Sequence, residues 1–486
     1  MGLSSAMRSV VLHDGSFSGR LSLAPFRCYV IFLLAVALIA AVIDVAVFGF
    51  HYFGPATFVL GLLTLWPTLS ALARRSHDIG LPGILSFLWL VPGLGLLYLL
   101  LLLFRTGTTV GNRFVHQPLD DTSNEAVPRW ADVVLVPLVS LLLAAIISAL
   151  VILSIGEDPL ATLMVMVDGA LGSAYGWGYT LYYATSFIFT GLAVTVAFHA
   201  GLFNIGGEGQ AQLGGLGVAL VCLSYPWPHW SIALLAASLG AAAFGAVWAA
   251  IPAYLQAKRG SHIVITTIMF NYIASALIVY LLVDVLRPAG QMDPATARFS
   301  AGTKLPTLNQ IPGLNLIFDK KIPANVTIFV AIAACIAVWA LLWRTRLGYQ
   351  IRAFGKSGPA AKYAGINPTK IIMVTMIISG ALAGLMAINN VMGESGRLVQ
   401  NSASGAGFIG IAVALMGRNH PVGVFLAAIL FGFLFQGGAE LGLWTHIPIE
   451  LRIVVQGLVI LFTGALDQMV RMLLVFMFNL GKQRVA

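Results

Sequence analysis

The sequence predicts an all-α membrane protein, a polytopic helical bundle with broken or re-entrant helices. Of its 486 residues, 59% are hydrophobic and only 9% are charged, which is too few charges to cover the surface of a soluble protein. The mean hydropathy is +0.92, and the 51 glycines suit closely packed membrane helices. This composition excludes a soluble enzyme and a nucleic-acid-binding protein.

The net charge of +9 indicates membrane topology rather than an anionic partner. The 27 Lys and Arg residues outnumber the 18 Asp and Glu residues, and they lie mostly in short clusters between apolar stretches, as in cytoplasmic loops. Cys28, Cys222 and Cys335 are far apart, so their spacing predicts neither a disulfide nor a zinc site. No metal site is expected.

Residues 1–115 are predicted to form an accessory membrane module of about three apolar segments. The segments cover 28–50, 55–73 and 81–104, and the second is followed by a polar stretch that begins at Arg74-Arg75. Pro92 and its flanking glycines interrupt the third segment, which fits both a kinked span and a re-entrant hairpin. Asp44 lies inside the first segment, so we expect it to be paired with a polar partner.

Residues 116–131 are predicted to be a polar linker, and residues 132–486 a second membrane domain of about eight to ten spans. The linker contains Asp120, Asp121, Asn124 and Glu125 and offers almost nothing to bury. Some apolar runs of the second domain, such as 406–417, are too short to cross a bilayer as straight helices. Because glycines flank these short runs, they predict broken or re-entrant helices packed inside the bundle.

Two long loops set the predicted orientation of the second domain. The stretch 344–370 carries six Lys and Arg residues and no acid, whereas the longer stretch 286–324 carries five basic and two acidic residues. The positive-inside bias therefore places 344–370 in the cytoplasm and 286–324 outside. These two sides are called inner and outer below.

The stretch 191–210 is predicted to be an interrupted helix. It combines five glycines with Asn204, Glu208 and Gln210 in an apolar region, an arrangement that is costly in lipid unless protein or water surrounds it. The freed backbone and the three side chains could contact a polar solute. Alternatively, the glycines serve close helix packing and Glu208 is a structural carboxylate bonded to a helix end.

This stretch contains GLFNIGGEGQ at 201–210, which resembles the signature of ABC importer permease subunits of the nucleoside and simple-sugar class, in the ribose and branched-chain amino-acid permease group. Three further segments resemble the same family in the same order. They are IVITTIMFNYIA at 263–274, GKSGPAAKYAGIN at 355–367 followed by SGALAGL at 379–385, and GFIGIAVALMGRNHPVGV at 407–424. The resemblance covers about residues 132–472, and it implies an ATP-driven import subunit for nucleosides or simple sugars.

The basic loop is also predicted to contain a short helix, with Pro359 in its first turn and Gly365 near its C-terminal end. A basic loop by itself indicates only topology. Together with the resemblance, it implies a helix that docks into an ATPase and couples ATP-dependent closure to transport. The expected coupling residues are Gly355, Pro359, Ala360, Ala361, Ala364 and Gly365.

Amide side chains in other spans are further candidates for the substrate path. Asn271, Asn389 and Asn390 lie within or at the ends of apolar runs, and amides can bind ribose hydroxyls or the edge of a base. They can equally form hydrogen bonds between helices. The predicted path therefore consists of Asn204, Glu208, Gln210, Asn271, Asn389 and Asn390, with both roles open.

The resemblance implies several partners: cytoplasmic ATP-binding subunits, a second permease subunit, an extracytoplasmic substrate-binding protein and membrane lipid, but no nucleic acid. The chain lacks the GxxxxGK[ST] phosphate loop, so ATP is expected on the partner and no cofactor in this chain. The expected location is the bacterial inner membrane. An ion-gradient-driven secondary transporter of a small polar solute is the alternative, for which Asp44, Glu208 and Asp284 would be candidate ion-binding residues.

The N-terminal module carries a second resemblance. RRSHDIGLPG at 74–83 and GNRF at 111–114 resemble domain-of-unknown-function family 805, which brings no established activity. We interpret Arg75, His77 and Asp78 as solvated anchoring residues at the end of a span rather than as a catalytic group.

Overall fold

The computed structural model describes residues 17–48, 54–90, 94–105, 107, 114, 135–316, 318, 322–444 and 451–461. These residues fall into two compact units that divide between Leu143 and Ala144. The predicted linker, 116–131, lies outside the described residues, so the domain boundaries proposed from the sequence stay a prediction.

Up to residue 114, the described part of the N-terminal unit contains three α-helices and a 3₁₀ helix. They are α1 (Leu23–Phe48), α2 (Pro55–Asp78), the 3₁₀ helix Gly83–Leu90 and α3 (Leu94–Phe104). The predicted partner of Asp44 is the start of α2, where its carboxylate accepts hydrogen bonds from the backbone N–H groups of Ala56 (2.7 Å) and Thr57 (2.8 Å). A carboxylate is favourable there because the first N–H groups of a helix lack helical partners.

The end of α2 differs from the sequence prediction. The helix continues to Asp78, and Arg75 is fully buried rather than solvated. Its guanidinium donates to Asp78 and to the carbonyl oxygen of Leu102 (3.1 Å), so burial of the charge is compensated by hydrogen bonds. These residues hold the ends of α2 and α3 together.

The third apolar segment is not one continuous α-helix in its described residues. A 3₁₀ helix precedes α3, which has 11 residues and is therefore about 16 Å long, far less than the ~30 Å hydrocarbon core. Residues 91–93 lie outside the described residues, so whether the segment spans or re-enters stays open.

The remaining helices belong to the second unit, apart from the start of α4. They are α4 (Val136–Ser154), α5 (Pro159–Leu171), α6 (Ala174–His199), α7 (Gly207–Ser224), α8 (Trp230–Arg259), α9 (Ile263–Tyr280), α10 (Thr327–Arg344), α11 (Arg346–Lys356), α12 (Gly358–Tyr363), α13 (Pro368–Ala387), α14 (Ala406–Met416), α15 (Pro421–Trp444) and α16 (Leu451–Ile460). Two helices continue in π-helical turns, α9 through Leu281–Val285 and α13 through Ile388–Ser395.

Seven helices in the described parts of the chain are long and apolar enough to cross a membrane. One of them is α2, and the other six belong to the second unit. The helices Val139–Ser154 and Pro159–Leu171 together would make an eighth span, but the chain bends by 117° between them. The chain is therefore an all-α, multi-pass membrane protein, as the sequence predicted.

Glycines let three helices of the second unit approach closely at its centre. A Cβ atom at Gly214 of α7 would lie 2.5 Å from the backbone of Gly384 in α13, and one at Gly245 of α8 would lie 2.3 Å from the carbonyl oxygen of Gly380. No larger residue fits at these crossings without moving a backbone. In a membrane such close contacts stabilise helix association, because lipid leaves little hydrophobic force between helices.

The predicted outer loop packs on the start of α6. It contains the 3₁₀ turns Ala301–Thr303, Leu308–Gln310 and Leu314–Leu316, and Leu308, Phe318 and Ile322 form a buried cluster with Tyr182 of α6. The first half of α6 therefore lies towards the outer side.

Candidate functional site

The chain breaks between α6 and α7, as the glycine-rich motif predicted. Helix α6 ends at His199, and Gly201 adopts a left-handed conformation with φ of +69°. The N–H groups of Gly201 and Leu202 bond to the carbonyl oxygens of Phe198 and Ala197 and close the last turn. Glycine is the residue that adopts this conformation without steric cost.

Asn204 stabilises the break through a buried amide network. Its Oδ1 accepts from the N–H of Gly206 (2.9 Å), and its Nδ2 donates to Gln210 (3.0 Å) and to the hydroxyl of Ser379 in α13 (2.9 Å). The Ser379 hydroxyl donates to the carbonyl oxygen of Ala193 in α6 (2.6 Å). The network therefore links α6, α7 and α13, and both predicted path residues in it are buried.

Asn271 connects the same break to α9. Its Oδ1 accepts from the N–H of Gly209 (2.9 Å), and its Nδ2 donates to the carbonyl oxygen of Ile205 (2.9 Å). The side chain thus satisfies one donor in the first turn of α7 and one acceptor just before it.

Glu208 joins two helix N-termini. It lies in the first turn of α7, and its two carboxylate oxygens accept from the N–H groups of Gly405 and Gly407 (2.9 Å each), where α14 begins. A Cβ atom at Gly407 would lie 2.1 Å from the backbone nitrogen of Glu208, so the two helices touch backbone to backbone. The structure therefore shows Glu208 bonded to a helix end; a role in the solute path stays a prediction.

From this contact, α7 and α14 run to opposite sides of the bundle. The chain after α7 reaches Trp227, which packs on Gly302 of the outer loop. The chain after α14 reaches His420, whose ring lies 5.0 Å from that of Trp343 near the inner end of α10. Burial and the nearby His199 lower the pKa of His420, which favours its neutral form there.

The two helices are therefore half-helices whose N-termini meet inside the bundle. With 11 residues, α14 is about 16 Å long and does not cross the bilayer. Opposed half-helices with freed backbone groups are the geometry of midplane sites in many transporters. We call this meeting point, Gly206–Gln210 with Gly405–Gly407, the junction.

Asn389 and Asn390 form a separate polar group towards the outer side. Asn389 is fully buried; it donates to the carbonyl oxygen of Tyr182 (2.9 Å) and accepts from Thr327 (2.8 Å). Asn390 accepts from Ser186 (2.8 Å) and donates to the carbonyl oxygen of Ser402 (3.0 Å). Among the described residues, no hydrogen bond connects this pair directly to Asn204, Glu208, Gln210 or Asn271.

The predicted short helix in the basic loop is α12, at Gly358–Tyr363. The Ser357 hydroxyl accepts from the N–H of Ala360 (3.4 Å) at its start, and Gly365 follows it with φ of +79°. Of the predicted coupling residues, Gly355, Pro359, Ala360, Ala364 and Gly365 are exposed, whereas Ala361 is 4% exposed and faces the protein. The loop tip, Gly358–Ile366, is thus a mostly exposed segment that contains a capped short helix.

Two features of this region were not foreseen from the sequence. Tyr363 is 95% exposed at the loop tip, and only its place as an aromatic residue in a run of small and basic residues could have singled it out. Gly355, which precedes the tip, packs on the break after α6, because a Cβ atom there would lie 2.1 Å from the carbonyl oxygen of His199. The basic loop is therefore in direct contact with the end of α6.

Similarity to known proteins identifies the family. Residues 176–464, more than half of the chain, match the family model described as the permease component of a branched-chain amino acid transport system. The glucose ABC transporter permease protein TsgB13 of Haloferax volcanii is 34% identical over 342 residues, which are 69% of this chain and 88% of that protein.

The guanosine ABC transporter permease protein NupP of Bacillus subtilis is 36% identical over 332 residues, 68% of this chain and 93% of that protein. The nucleoside ABC transporter permease protein NupB of Lactococcus lactis is 35% identical over 334 residues, 68% of this chain and 90% of that protein. The chain belongs to this permease family. No solved structure matches it significantly.

Membership of the family decides the class of function. This permease is a membrane-spanning transport subunit and not an enzyme, and ATP hydrolysis takes place on a separate chain. The family associates with ATP-binding subunits and a substrate-binding protein, which favours the ATP-driven interpretation over the ion-gradient alternative. Residues 15–116 match a second family model, described as a protein of unknown function (DUF805).

Proposed function

We propose that this permease is the membrane subunit of an importer for nucleosides or simple sugars in a bacterial inner membrane. The similarity of residues 176–464 to the permease family, together with relatives named for guanosine, nucleosides and glucose, carries the proposal. A second permease subunit pairs with it, cytoplasmic ATPases bind ATP, and an extracytoplasmic binding protein delivers the solute.

The geometry supports a mechanism of alternating access. The exposed loop tip is suited to docking into an ATPase, and Gly355 beside it contacts the end of α6 just before the junction. Movement of the tip on ATP binding would be transmitted to the junction over a few residues. There the hydrogen bonds of Asn204, Glu208, Gln210 and Asn271 hold the half-helices in the arrangement of this structure.

The path residues act in this mechanism mainly by fixing backbone groups. Their polar side-chain atoms bond to neighbouring helices, so a solute at the junction would meet the freed backbone first. Asn389 and Asn390 would act farther out, beside the entrance from the outer side.

The proposal is tested by the composition and the substrates of the complex. ATP-binding subunits and a second permease subunit should co-purify with this permease when it is affinity-tagged and purified from its native membrane. The complex in proteoliposomes, with its binding protein, should take up at least one labelled solute among guanosine, adenosine, uridine, ribose and glucose. Uptake of none of these by a complex with normal ATP hydrolysis would overturn the assigned substrate class.

A further inference from the structure

A stripe of aromatic rings follows the outer half of α6. Tyr175, Tyr179, Tyr183 and Phe187 are spaced four residues apart, so they lie on one face of the helix. The ring centroids of Tyr175 and Tyr179 are 4.7 Å apart, and those of Tyr179 and Tyr183 are 6.4 Å apart. Phe435 of α15 lies 5.3 Å from Tyr183 and 5.1 Å from Phe187. We call these rings the outer stripe.

The outer stripe leads from the surface into the protein. Tyr175 is 45% exposed and Phe187 is 2% exposed, with Tyr179 and Tyr183 intermediate. Because the outer loop packs on this half of α6, the exposed end of the stripe faces the outer side. The stripe therefore presents tyrosine rings at the surface on the outer side and continues inwards to the buried Phe187.

Hydrogen-bonding groups accompany the rings. Glu394, exposed at the end of α13's π-helical continuation, accepts from the hydroxyl of Tyr182; among the described residues this is the only hydrogen bond to its carboxylate, which leaves one oxygen open. Asn390 lies one turn earlier and is tied to α6 through Ser186. The ring of Tyr182 lies 5.3 Å from that of Tyr183, so Glu394 reaches the outer stripe through Tyr182, and an exposed carboxylate at this place favours a polar surface over a lipid-facing one.

We propose that the outer stripe, with Glu394 and Asn390, is a binding site for the base of a nucleoside. This inference rests on the proposed function and narrows it from nucleosides or simple sugars to nucleosides. A base presents a planar π-face to the tyrosine rings, and its ring N–H or amino groups donate to the open oxygen of Glu394. A simple sugar offers hydroxyl groups but no such face.

The energetics favour a site of this kind on an import path. Stacking of a base on an aromatic side chain contributes about 1–3 kcal/mol and tolerates different bases. Successive rings along the stripe offer successive stacking positions of similar strength, so that a nucleoside is held but not trapped. Because the carboxylate of Glu394 accepts hydrogen bonds from base N–H groups, the site should prefer bases that carry donors on one edge.

Photolabelling of the complete transporter tests the proposal. The purified complex in lipid nanodiscs is labelled with radioactive 8-azidoadenosine, and the labelled peptides are mapped by mass spectrometry. Label should appear in 174–199 or 388–395, and adenosine should compete for it while glucose does not. Tyr183→Leu should raise the adenosine concentration that halves labelling about fivefold or more.

Matched variants separate stacking from folding. Tyr183→Phe keeps the ring and should behave as the wild type, whereas Glu394→Gln should weaken competition while leaving the assembled complex intact. Tyr272→Leu, which changes another tyrosine, 69% exposed on α9, is the control and should have no effect. Equal effects of Tyr183→Leu and Tyr272→Leu, or label confined to other peptides, would overturn the proposal.

Parallel uptake measurements separate this inference from the proposed function. If the wild-type complex transports ribose or glucose but no nucleoside, the outer stripe is not a base site while the importer stands. If it transports neither class, the proposed substrate class is wrong, and the assignment of the outer stripe as a base site is wrong as well.

Discussion

Single polar residues inside this permease are costly unless their atoms are paired, and the junction shows how they are paired. Glu208 is 6% exposed, and a buried charge without partners costs several kcal/mol. Two backbone N–H groups at the start of α14 compensate it, and the positive end of that helix adds a favourable field. Glu208 therefore links the N-termini of the two half-helices through hydrogen bonds.

Glu208→Gln should destabilise the junction. The Gln side chain keeps one acceptor for Gly405 or Gly407, but its amide group faces the other N–H, leaving two donors opposed. We expect a loss of about 1–3 kcal/mol, measured as a lower midpoint of thermal unfolding in detergent. Glu157→Gln, in the turn between α4 and α5, is the control. An unchanged midpoint for Glu208→Gln would show that the charge and its two bonds contribute nothing.

Asn204→Ala should leave the Gly206 N–H, Gln210 and the Ser379 hydroxyl each short of a partner. The expected cost is about 1–3 kcal/mol for the buried groups left unsatisfied, so less folded protein should accumulate. Ser379→Ala removes the same link from the α13 side and should have a smaller effect of the same kind.

Uptake per folded molecule then decides between the two roles of Asn204. Altered selectivity or affinity at normal expression and basal ATP hydrolysis supports a residue of the path. If both Asn204→Ala and Ser379→Ala only lower the amount of protein, while uptake per molecule is unchanged for several solutes, Asn204 is a packing residue.

The sequence reveals which residues are unusual for a membrane segment, but not which groups they bond to. Asn204, Glu208 and Asn271 stand out in the sequence, because a polar side chain in an apolar membrane segment is energetically unfavourable unless it has partners. The partners of Glu208 lie almost two hundred positions away, at Gly405 and Gly407, and backbone N–H groups leave no pattern in a sequence. Glu394 and its contact with Tyr182 were missed because the two residues lie 212 positions apart in the chain.

At the scale of elements, the loop tip combines exposure with a fixed shape. The Ser357 cap, the buried Ala361 and the left-handed Gly365 hold α12 in place. Substitutions at Ala361 or Gly365 would disturb the tip itself. Exposed small residues on the tip are therefore better probes of docking.

Ala364→Glu should leave the permease folded and uncouple it from the ATPase. Its side chain points out of the tip, so added bulk and negative charge should block docking without strain inside the protein. Stimulation of ATP hydrolysis by loaded binding protein should fall about tenfold or more, equivalent to a loss of at least 1.4 kcal/mol in the docking equilibrium. Lys258→Glu, on the inner end of α8, controls for charge, and normal stimulation of the Ala364 variant would exclude a docking role.

Gly384→Ala tests the glycine contacts among α7, α8 and α13. A Cβ atom at this position would lie 2.3 Å from the carbonyl oxygen of Ala241, so the helices must separate. Overpacking of this kind costs about 1–3 kcal/mol, which should lower the unfolding midpoint. Gly61→Ala, where a Cβ atom meets nothing within 4 Å, is the matched control, and equal midpoints for the two variants would contradict the packing account.

Elements were predictable where they are long and apolar, and less so where they are short. The apolar segment 55–73 corresponds to most of α2, and the short run at 406–417 to the half-helix α14. The extension of α2 to Asp78 was not foreseen, because Arg75 and Asp78 look like loop residues until their mutual pairing is known. Burial of Ala361 was also not visible, since Ala360 and Ala364 in the same short helix region have the same side chain and are exposed.

At the scale of the whole molecule, the N-terminal unit and the permease region match separate family models. We predict that a chain beginning near Asn124 still inserts, assembles and transports, with at most a change in abundance. Uptake per assembled complex is the measurement, with the full-length chain as control. A truncated protein that is stable and bound to its ATPase but inactive would make the N-terminal unit part of the transport machinery.

The dependence of uptake on its energy source tests the central claim most directly. In proteoliposomes that contain the purified complex and its binding protein, solute uptake should require ATP on the side of the ATPases, stop with vanadate, and continue when an uncoupler abolishes the ion gradients. Uptake that persists without ATP and collapses with the uncoupler would contradict the account and identify a secondary transporter instead.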